Sequence, residues 1–422
     1  RYWKNIPRWE DVPCSVFNTY EWQKKNSIVT KVQLKNFFEE TLPDTLEPSK
    51  NPRFAHIRTR EQFVEDALNG LGMAPMSVRI TPHLLALVDW KRALDDPIRT
   101  QFVPLQSGFI GDHPKLTLDS LHESEDSQVQ GLVHRYSDKA LFLATSICPV
   151  YCRFCTRSYS VGAPTDTVTK VPNKPIRKRW EAMFNYIEST PAIQDIVVSG
   201  GDTYYLEPEQ IQEIECRLLG IENVRRIRFA SKGLAVLPSR TLDATDSWTK
   251  TFIELTKKGR KLGKQVCLHT HFNHPTEITW VTKKAAQYLF QEGVIVRNQT
   301  VLLKGVNDNV ETMAKLIRLL ADMNIQPASL LPSYYVYQCD LVRGIEDLRT
   351  PLSVILDLEE QLRGTIAGFM MPSFVVDLPG GGGKRLAATG SYDPKTGVST
   401  FTAPGLPGEK GKRVYEYYDP KP

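Results

Sequence analysis

The chain has 422 residues, 41% of them apolar, with 53 basic against 48 acidic side chains. That is enough to bury one large core plus an attached smaller region, and the near balance of charge leaves no concentrated basic arm for nucleic acid. The densest basic run, 174–179, is short and contains a proline, and the longest apolar stretches, 84–88 and 295–303, fall short of a membrane span. Seven cysteines, three clustered and four scattered, are too uneven for a disulfide framework and fit a reducing compartment, the cytoplasm, with the mitochondrial matrix as the alternative.

Over residues 1–130, helical patterns at 31–40, 61–71 and 82–93 alternate with proline-containing links, and no chemical motif stands out. From Lys139 onward, short β-rich runs recur between helical stretches: 141–145, 195–199, 226–230, 265–269, 294–301, 334–338 and 374–377. Strands alternating with helices predict parallel βα units, hence an α/β fold. Several runs end in polar or glycine-containing turns, and the carboxyl ends of parallel strands are where barrel folds place their chemistry. The tail after Arg385 is rich in Gly, Pro, Lys and Tyr, with one late strand expected within 410–418. The expected division is a helical N-terminal region (1–130), a core (131–385) and a peripheral C-terminal extension or interface arm (386–422).

Cys148-Pro-Val-Tyr-Cys152-Arg-Phe-Cys155 places three thiols in eight residues, directly after the first predicted strand of the core. Three thiolates leave one iron of a cubane without a protein ligand, and the amino and carboxylate groups of S-adenosylmethionine (SAM) can chelate it, beside a low-potential electron donor. A zinc site would want a fourth nearby Cys or His, and three buried thiols by chance are the remaining alternative. Ser199-Gly-Gly-Asp202 follows the next strand, where paired glycines let backbone approach a ligand; alone it reads as an ordinary turn capped by Asp202. Asp377-Leu-Pro-Gly-Gly-Gly-Gly-Lys384 puts a lysine at the end of a pliable loop, suited to a Schiff base with pyridoxal phosphate (PLP). On residue chemistry alone, a flexible linker with an exposed lysine is an equal reading.

Together with His134-Arg-Tyr136, His269-Thr-His-Phe-Asn-His-Pro275, Asn298-Gln-Thr-Val-Leu-Leu303, Gly305-Val-Asn-Asp308 and Tyr337-Gln-Cys-Asp340, these segments resemble the lysine 2,3-aminomutase family of radical-SAM, PLP-dependent enzymes over residues 130–385. The resemblance implies a partial (β/α)6-type radical-SAM barrel and conversion of L-lysine to β-lysine. Cys148, Cys152 and Cys155 would hold a [4Fe-4S] cluster, and Gly200, Gly201, Asp202, His271 and Gln299 would surround SAM. Lys384 would carry PLP, with Arg135 near its phosphate. Arg157 would hold the substrate carboxylate, and Asp340 and Asp377 its distal ammonium, whereas relatives acting on glutamate replace these acids. His269 and His274 are expected to be structural, and Cys267 and Cys339 simply buried.

Two departures stand out. Ser158 and Tyr159 follow Arg157 where the family pattern often has arginines, and Asn309 stands where several bacterial members carry a zinc-binding cysteine, so no structural zinc is expected. A longer approach at 326–335 is a third difference, lying just before Asp340. Expected partners are a small-molecule amino acid, a flavodoxin- or ferredoxin-like electron donor and further copies of the chain, with neither nucleic acid nor membrane. Arginine or ornithine could satisfy the same two acids, a free lysine destined for a translation factor is the substrate of some shorter relatives, and a degenerate member acting as a binding or scaffold protein is the rival from another class.

Overall fold

The computed structural model describes residues 1–325 and 335–421. The β-rich runs become strands of one ten-stranded sheet in which every strand lies beside its neighbours in sequence: β1 (Ser127–Val129), β2 (Leu132–Tyr136), β3 (Lys139–Thr145), β4 (Asp195–Gly200), β5 (Arg226–Ala230), β6 (Gln265–His271), β7 (Ile295–Val301), β8 (Tyr335–Tyr337), β9 (Ser373–Leu378) and β10 (Gly383–Leu386). β3 through β9 are parallel, while β1–β3 and β9–β10 pair antiparallel. Helices Arg177–Glu188, Pro208–Gly220, Trp248–Lys261, Trp280–Gln291, Val310–Asp322 and Leu352–Leu362 fill the six crossovers. A sheet that always adds its next strand on the same side, through crossovers of one hand, brings all its strand ends to one rim. The expected β8 run began at residue 334, which lies outside the described residues, as does the approach from 326; the described strand starts at Tyr335.

Local chemistry sets the boundaries. Helix Val310–Asp322 starts because the Asn309 side chain accepts the Thr312 N–H (2.9 Å), and it buries Met313, Leu316, Ile317 and Leu320 on one face. In the N-terminal region, helices Lys31–Thr41 and Arg60–Met73 each open with a Thr/Gln capping box. The helix expected over 82–93 stops at Leu85. The Leu85 carbonyl takes the Trp90 indole N–H (2.9 Å) and the Asp89 N–H goes to the Asp96 carboxylate (2.9 Å), so the next helical bond is never made and a separate turn, Trp90–Arg92, begins.

The sheet also starts earlier than the sequence pattern suggests, because Gly131 (φ +90°) closes the β1–β2 hairpin ahead of β3. The tail forms a second sheet of β11 (Ser391–Asp393), β12 (Val398–Thr402) and β13 (Val414–Tyr418). It packs onto the core instead of hanging free: Tyr417 is buried, its hydroxyl donates to the Cys339 carbonyl (2.8 Å) and accepts from Gln338 Nε2 (3.1 Å). Among the described residues no helix is long and apolar enough to cross a membrane.

One buried group works against this packing. Glu215, on the same helix face as Ile211, Ile214 and Leu218, is fully buried, and neither carboxylate oxygen finds a partner among the described residues. Burial holds its pKa well above the usual carboxylate range, with Lys258 pulling the other way. The unfolded chain ionises this group at lower pH than the folded one, so stability falls as pH rises from the ordinary carboxylate range toward the folded pKa. Glu215→Met should therefore stabilise the protein by about 1–3 kcal/mol at pH 8 and by less at pH 5. Thermal unfolding at the two pH values checks this, and an equal gain at both would reject it.

Candidate functional site

Beyond Thr145 the chain turns through Cys148, Cys152 and Cys155. This loop is braced from outside: Tyr151 N–H donates to the Arg79 carbonyl (3.0 Å), Arg153 N–H to Gln101 (3.0 Å), and the Arg153 guanidinium bonds both Asp347 oxygens (3.1 and 2.9 Å). The three thiols are free, half-buried, and line one cavity of about 260 Å³. Burial raises the pKa of each, the Cys152 thiol to about 12; Cys155 adds to the rise at Cys148 and at Cys152, while Arg157 and Lys170 act against it at Cys155.

The next strand end crosses beneath that loop. Gly200 has φ +112°, and a Cβ on it would run into the Thr145 carbonyl oxygen; one on Gly201 would meet Ile147 N at 2.6 Å. The paired glycines let Gly201 N–H reach the Thr145 carbonyl (2.6 Å) and Asp202 N–H reach Ile147 (2.9 Å). Glycine is thus required here by the chain's own crossing. Asp202 is the turn cap its sequence suggested, accepting from Tyr204 N–H (2.8 Å) and Lys232 N–H (2.7 Å), and it lines the cavity as well.

His271 and Gln299 line the same cavity from β6 and β7. Burial, then Lys232, hold the His271 pKa well below its ordinary value, so the ring is neutral. Its Nε2 lies 3.0 Å from Asn273 Oδ1, which also accepts the Val301 N–H, so Nε2 carries the proton and Nδ1 is left as an acceptor. His269 and His274 do not line the cavity; His274 caps the turn Pro275–Glu277 through its Nδ1.

The far strands supply an acid pair and a lysine. Lys384 sits opposite Asp377 in the β9–β10 pairing, with Nζ 2.8 Å from Asp377 Oδ2, and keeps 38% of its side-chain surface accessible where it lines the cavity. Burial works to lower the Lys384 pKa, but Asp377 and the phenols of Tyr337 and Tyr136 carry it well above the usual range. Asp340 follows β8 and is 8% exposed; Asp377 is 6% exposed, and each keeps Oδ1 without a partner among the described residues. Burial first, then Asp377, hold Asp340 well above the carboxylate range, with Lys384 acting against them.

The glycine run before Lys384 corrects the expectation of a pliable loop. Pro379–Gly381 is one tight turn, Gly380, Gly381 and Gly383 all adopt positive φ, and a Cβ on Gly383 would lie 2.5 Å from the Tyr136 hydroxyl. A Cβ on Gly382 would lie 2.7 Å from the Tyr415 ring, so the glycines answer to backbone conformation and close packing against tyrosines.

Every site residue expected from the sequence lines this cavity except Arg135. Arg135, on β2, donates to Asp126 Oδ2 (2.7 Å) and to the Leu121 carbonyl, and Lys410 from the tail holds the other Asp126 oxygen. Arg157 lines the cavity while its Nε and Nη2 donate to Glu123 (2.8 and 2.7 Å). Glu123 and Lys410 went unread in the sequence. The density of acids at Asp119, Glu123, Glu125 and Asp126, just upstream of His134-Arg-Tyr136, is a signal that could have marked the first; nothing local marks the second.

The chain is similar to L-lysine 2,3-aminomutase of Clostridium subterminale, 37% identical over 375 residues that cover 89% of this chain and 79% of that protein. It is 36% identical over 386 residues to L-lysine 2,3-aminomutase of Bacillus subtilis, covering 91% and 72%. A more distant relative, 27% identical over 368 residues, is glutamate 2,3-aminomutase of Clostridioides difficile, covering 87% and 76%. A scan against protein-family models matches none. The fold and the similarities define an α/β enzyme of the isomerase class. The chain belongs to the lysine 2,3-aminomutase family.

The crossing of the β4 end beneath the cysteine loop yields a comparison of two glycines. Gly201→Ala meets backbone and should destabilise the protein by about 1–3 kcal/mol. Gly305→Ala, at φ +72° in open space, should cost about 1 kcal/mol for its left-handed conformation alone. Thermal unfolding of the two variants side by side tests the ranking.

Proposed function

We propose that this protein catalyses a radical-SAM, PLP-dependent 1,2-amino shift converting L-lysine to β-lysine (3,6-diaminohexanoate). The observation that carries the reading is that two buried aspartates, each with an unpartnered oxygen, share one cavity with three thiols, an arginine and a lysine. Unsatisfied carboxylate oxygens in a desolvated wall call for a cation, and the distal ammonium of lysine provides one.

The donor set fits the implied groups. Among the described residues no three His, Cys, Asp or Glu are gathered as a site for one metal ion. A cubane takes one thiolate at each of three separate irons, so thiols spread around a cavity suit it without meeting at a point. Cys148, Cys152 and Cys155 would hold the [4Fe-4S] cluster; Gly200, Gly201, Asp202, His271 and Gln299 would hold SAM; Lys384 would hold PLP, with Arg135, which stands outside the cavity lining and is paired with Asp126, near its phosphate. When bound, cluster and SAM supply one-electron hydrogen-abstracting chemistry, and PLP supplies an aldehyde and a conjugated ring for the migrating amine.

The chain's own residues bind, orient and move protons. Lys384 must lose a proton from Nζ to act as a nucleophile, and Asp377 Oδ2 is the acceptor within reach. With Lys384 uncharged and its proton passed from Asp377 to solvent, the substrate ammonium takes the place of the Lys384 ammonium beside Asp377. Arg157 then holds the substrate carboxylate, so the reacting carbons are fixed from both ends. A substrate with a distal carboxylate would instead place a third acid beside two buried ones, which disfavours glutamate. In the same reading β3–β9 curve into a partial (β/α)6-type barrel within a core of residues 131–385, flanked by 1–130 and 386–422. Reduction comes from a flavodoxin- or ferredoxin-like donor, and the compartment is cytoplasmic. The one-directional strand order and the shared cavity at the strand ends support the barrel.

Anaerobically reconstituted protein supplied with SAM, PLP, reductant and L-lysine should form β-lysine, detected by mass spectrometry, and Cys152→Ala and Lys384→Ala should form none. Asp340→Asn should lower kcat/KM for lysine by about 100-fold, the scale of losing a charged partner in a buried site. Turnover of arginine or ornithine alone would reject the lysine assignment.

The elevated Asp340 pKa makes a separate prediction. Burial and Asp377 push Asp340 toward its protonated form, and a neighbouring ammonium favours its ionised form, so lysine binding should release a proton from it and tighten as pH rises above the ordinary carboxylate range. Calorimetric titrations in buffers of different ionisation heat measure that proton, which should be absent in Asp340→Asn.

A further inference from the structure

The guanidinium of Arg157 faces two ways. Arg157 lines the cavity, while Glu123, which takes its Nε and Nη2, does not and is only 5% exposed. The Tyr159 hydroxyl donates to the same carboxylate at Oε2 (2.9 Å), and the backbone N–H groups of Glu123 and Ser124 both donate to Asp119 (2.9 Å each). Between them His122 is kept at φ +53°, a conformation rare for a residue with a Cβ, which is how the chain turns at the residue before Glu123.

We propose that Glu123 is a positioning residue: it grips one edge of Arg157 so that the remaining Nη1 and Nη2 hydrogens are aimed at the carboxylate of an amino-acid substrate, and Tyr159 and Asp119 fix Glu123 in turn. A bidentate carboxylate removes the rotational freedom of a long side chain, so the donors left over are already oriented when substrate arrives. It also leaves the Arg157–Glu123 pair with no net charge. An α-carboxylate then binds through directed hydrogen bonds without an excess positive charge that would oppose the substrate's own ammonium groups. The competing picture is that Glu123 occupies the substrate's place on Arg157 and must leave, and the two pictures differ in the sign of one measurement.

The inference rests on the proposed amino-acid substrate, so the test separates the two. Calorimetric titration of the reconstituted, PLP-loaded protein compares L-lysine with cadaverine, which keeps both amines and lacks the carboxylate. In Glu123→Gln, lysine affinity should fall about tenfold, the scale of one oriented charge-assisted hydrogen bond, while cadaverine affinity stays within about twofold. Tyr159→Phe, which leaves the ion pair in place and guards against a folding defect in the first variant, should weaken lysine about threefold with cadaverine unchanged. In an Arg157→Ala background, Glu123→Gln should have no further effect on lysine. Tighter lysine binding in Glu123→Gln would overturn the proposal in favour of competition. Equal weakening of both ligands, or an effect that persists without Arg157, would overturn it in favour of a merely structural role. Failure of the unaltered protein to bind lysine would count against the proposed function instead, and the same cycle then runs on the amino acid that does turn over and its decarboxylated amine.

Discussion

Two buried carboxylates facing one lysine ammonium cannot both be satisfied by it. Asp377 holds Lys384 through one oxygen and leaves the other without a partner among the described residues, and burial with a like neighbour pushes the Asp340 pKa well above the usual carboxylate range. That imbalance would be costly in an ordinary core, where buried charge is matched and hydrogen-bonded. It persists here because several independent elements hold the groups in place: the β9–β10 register sets Lys384 against Asp377, and Asp340 stands just beyond β8, the neighbour of β9.

The same economy of position governs the glycines. At Gly200–Gly201 and Gly380–Gly383, side chains are absent because main chain or tyrosine rings pass too close for a Cβ, or because φ is positive. Both runs bring two strands' residues within reach of one another, in the first case β4 and the start of the cysteine loop, in the second β10 and the hydroxyl of Tyr136 on β2. The cavity wall is therefore built as much by tight crossings of backbone as by the side chains that line it.

The parallel core was readable in the sequence because its strands are short apolar runs separated by strongly amphipathic helices; the 226–230 run matches β5 at both ends. What misled the reading was competition by side chains for backbone groups, as at Trp90 and Leu85, where a hydrogen bond between residues five apart breaks a plausible helix. Motif residues such as the three cysteines and Lys384 stood out through unusual spacing, and the cavity gathers them. Glu123 and Lys410 did not stand out, since each acts through an arginine or aspartate far away in sequence, and such pairings leave no periodic trace. The glycine run was legible as unusual, but its cause was not, because the crowding tyrosines, Tyr136 and Tyr415, come from segments distant in sequence.

The bracing of the cysteine loop has a consequence for how the protein is made. Arg79 and Gln101 precede the loop on the nascent chain, but Asp347, which grips Arg153 with both oxygens, follows it by nearly two hundred residues. During synthesis the three thiols emerge long before their loop can take its final shape, because its last brace arrives only with residue 347. The order of biosynthesis thus separates the exposure of the thiols from the completion of their frame.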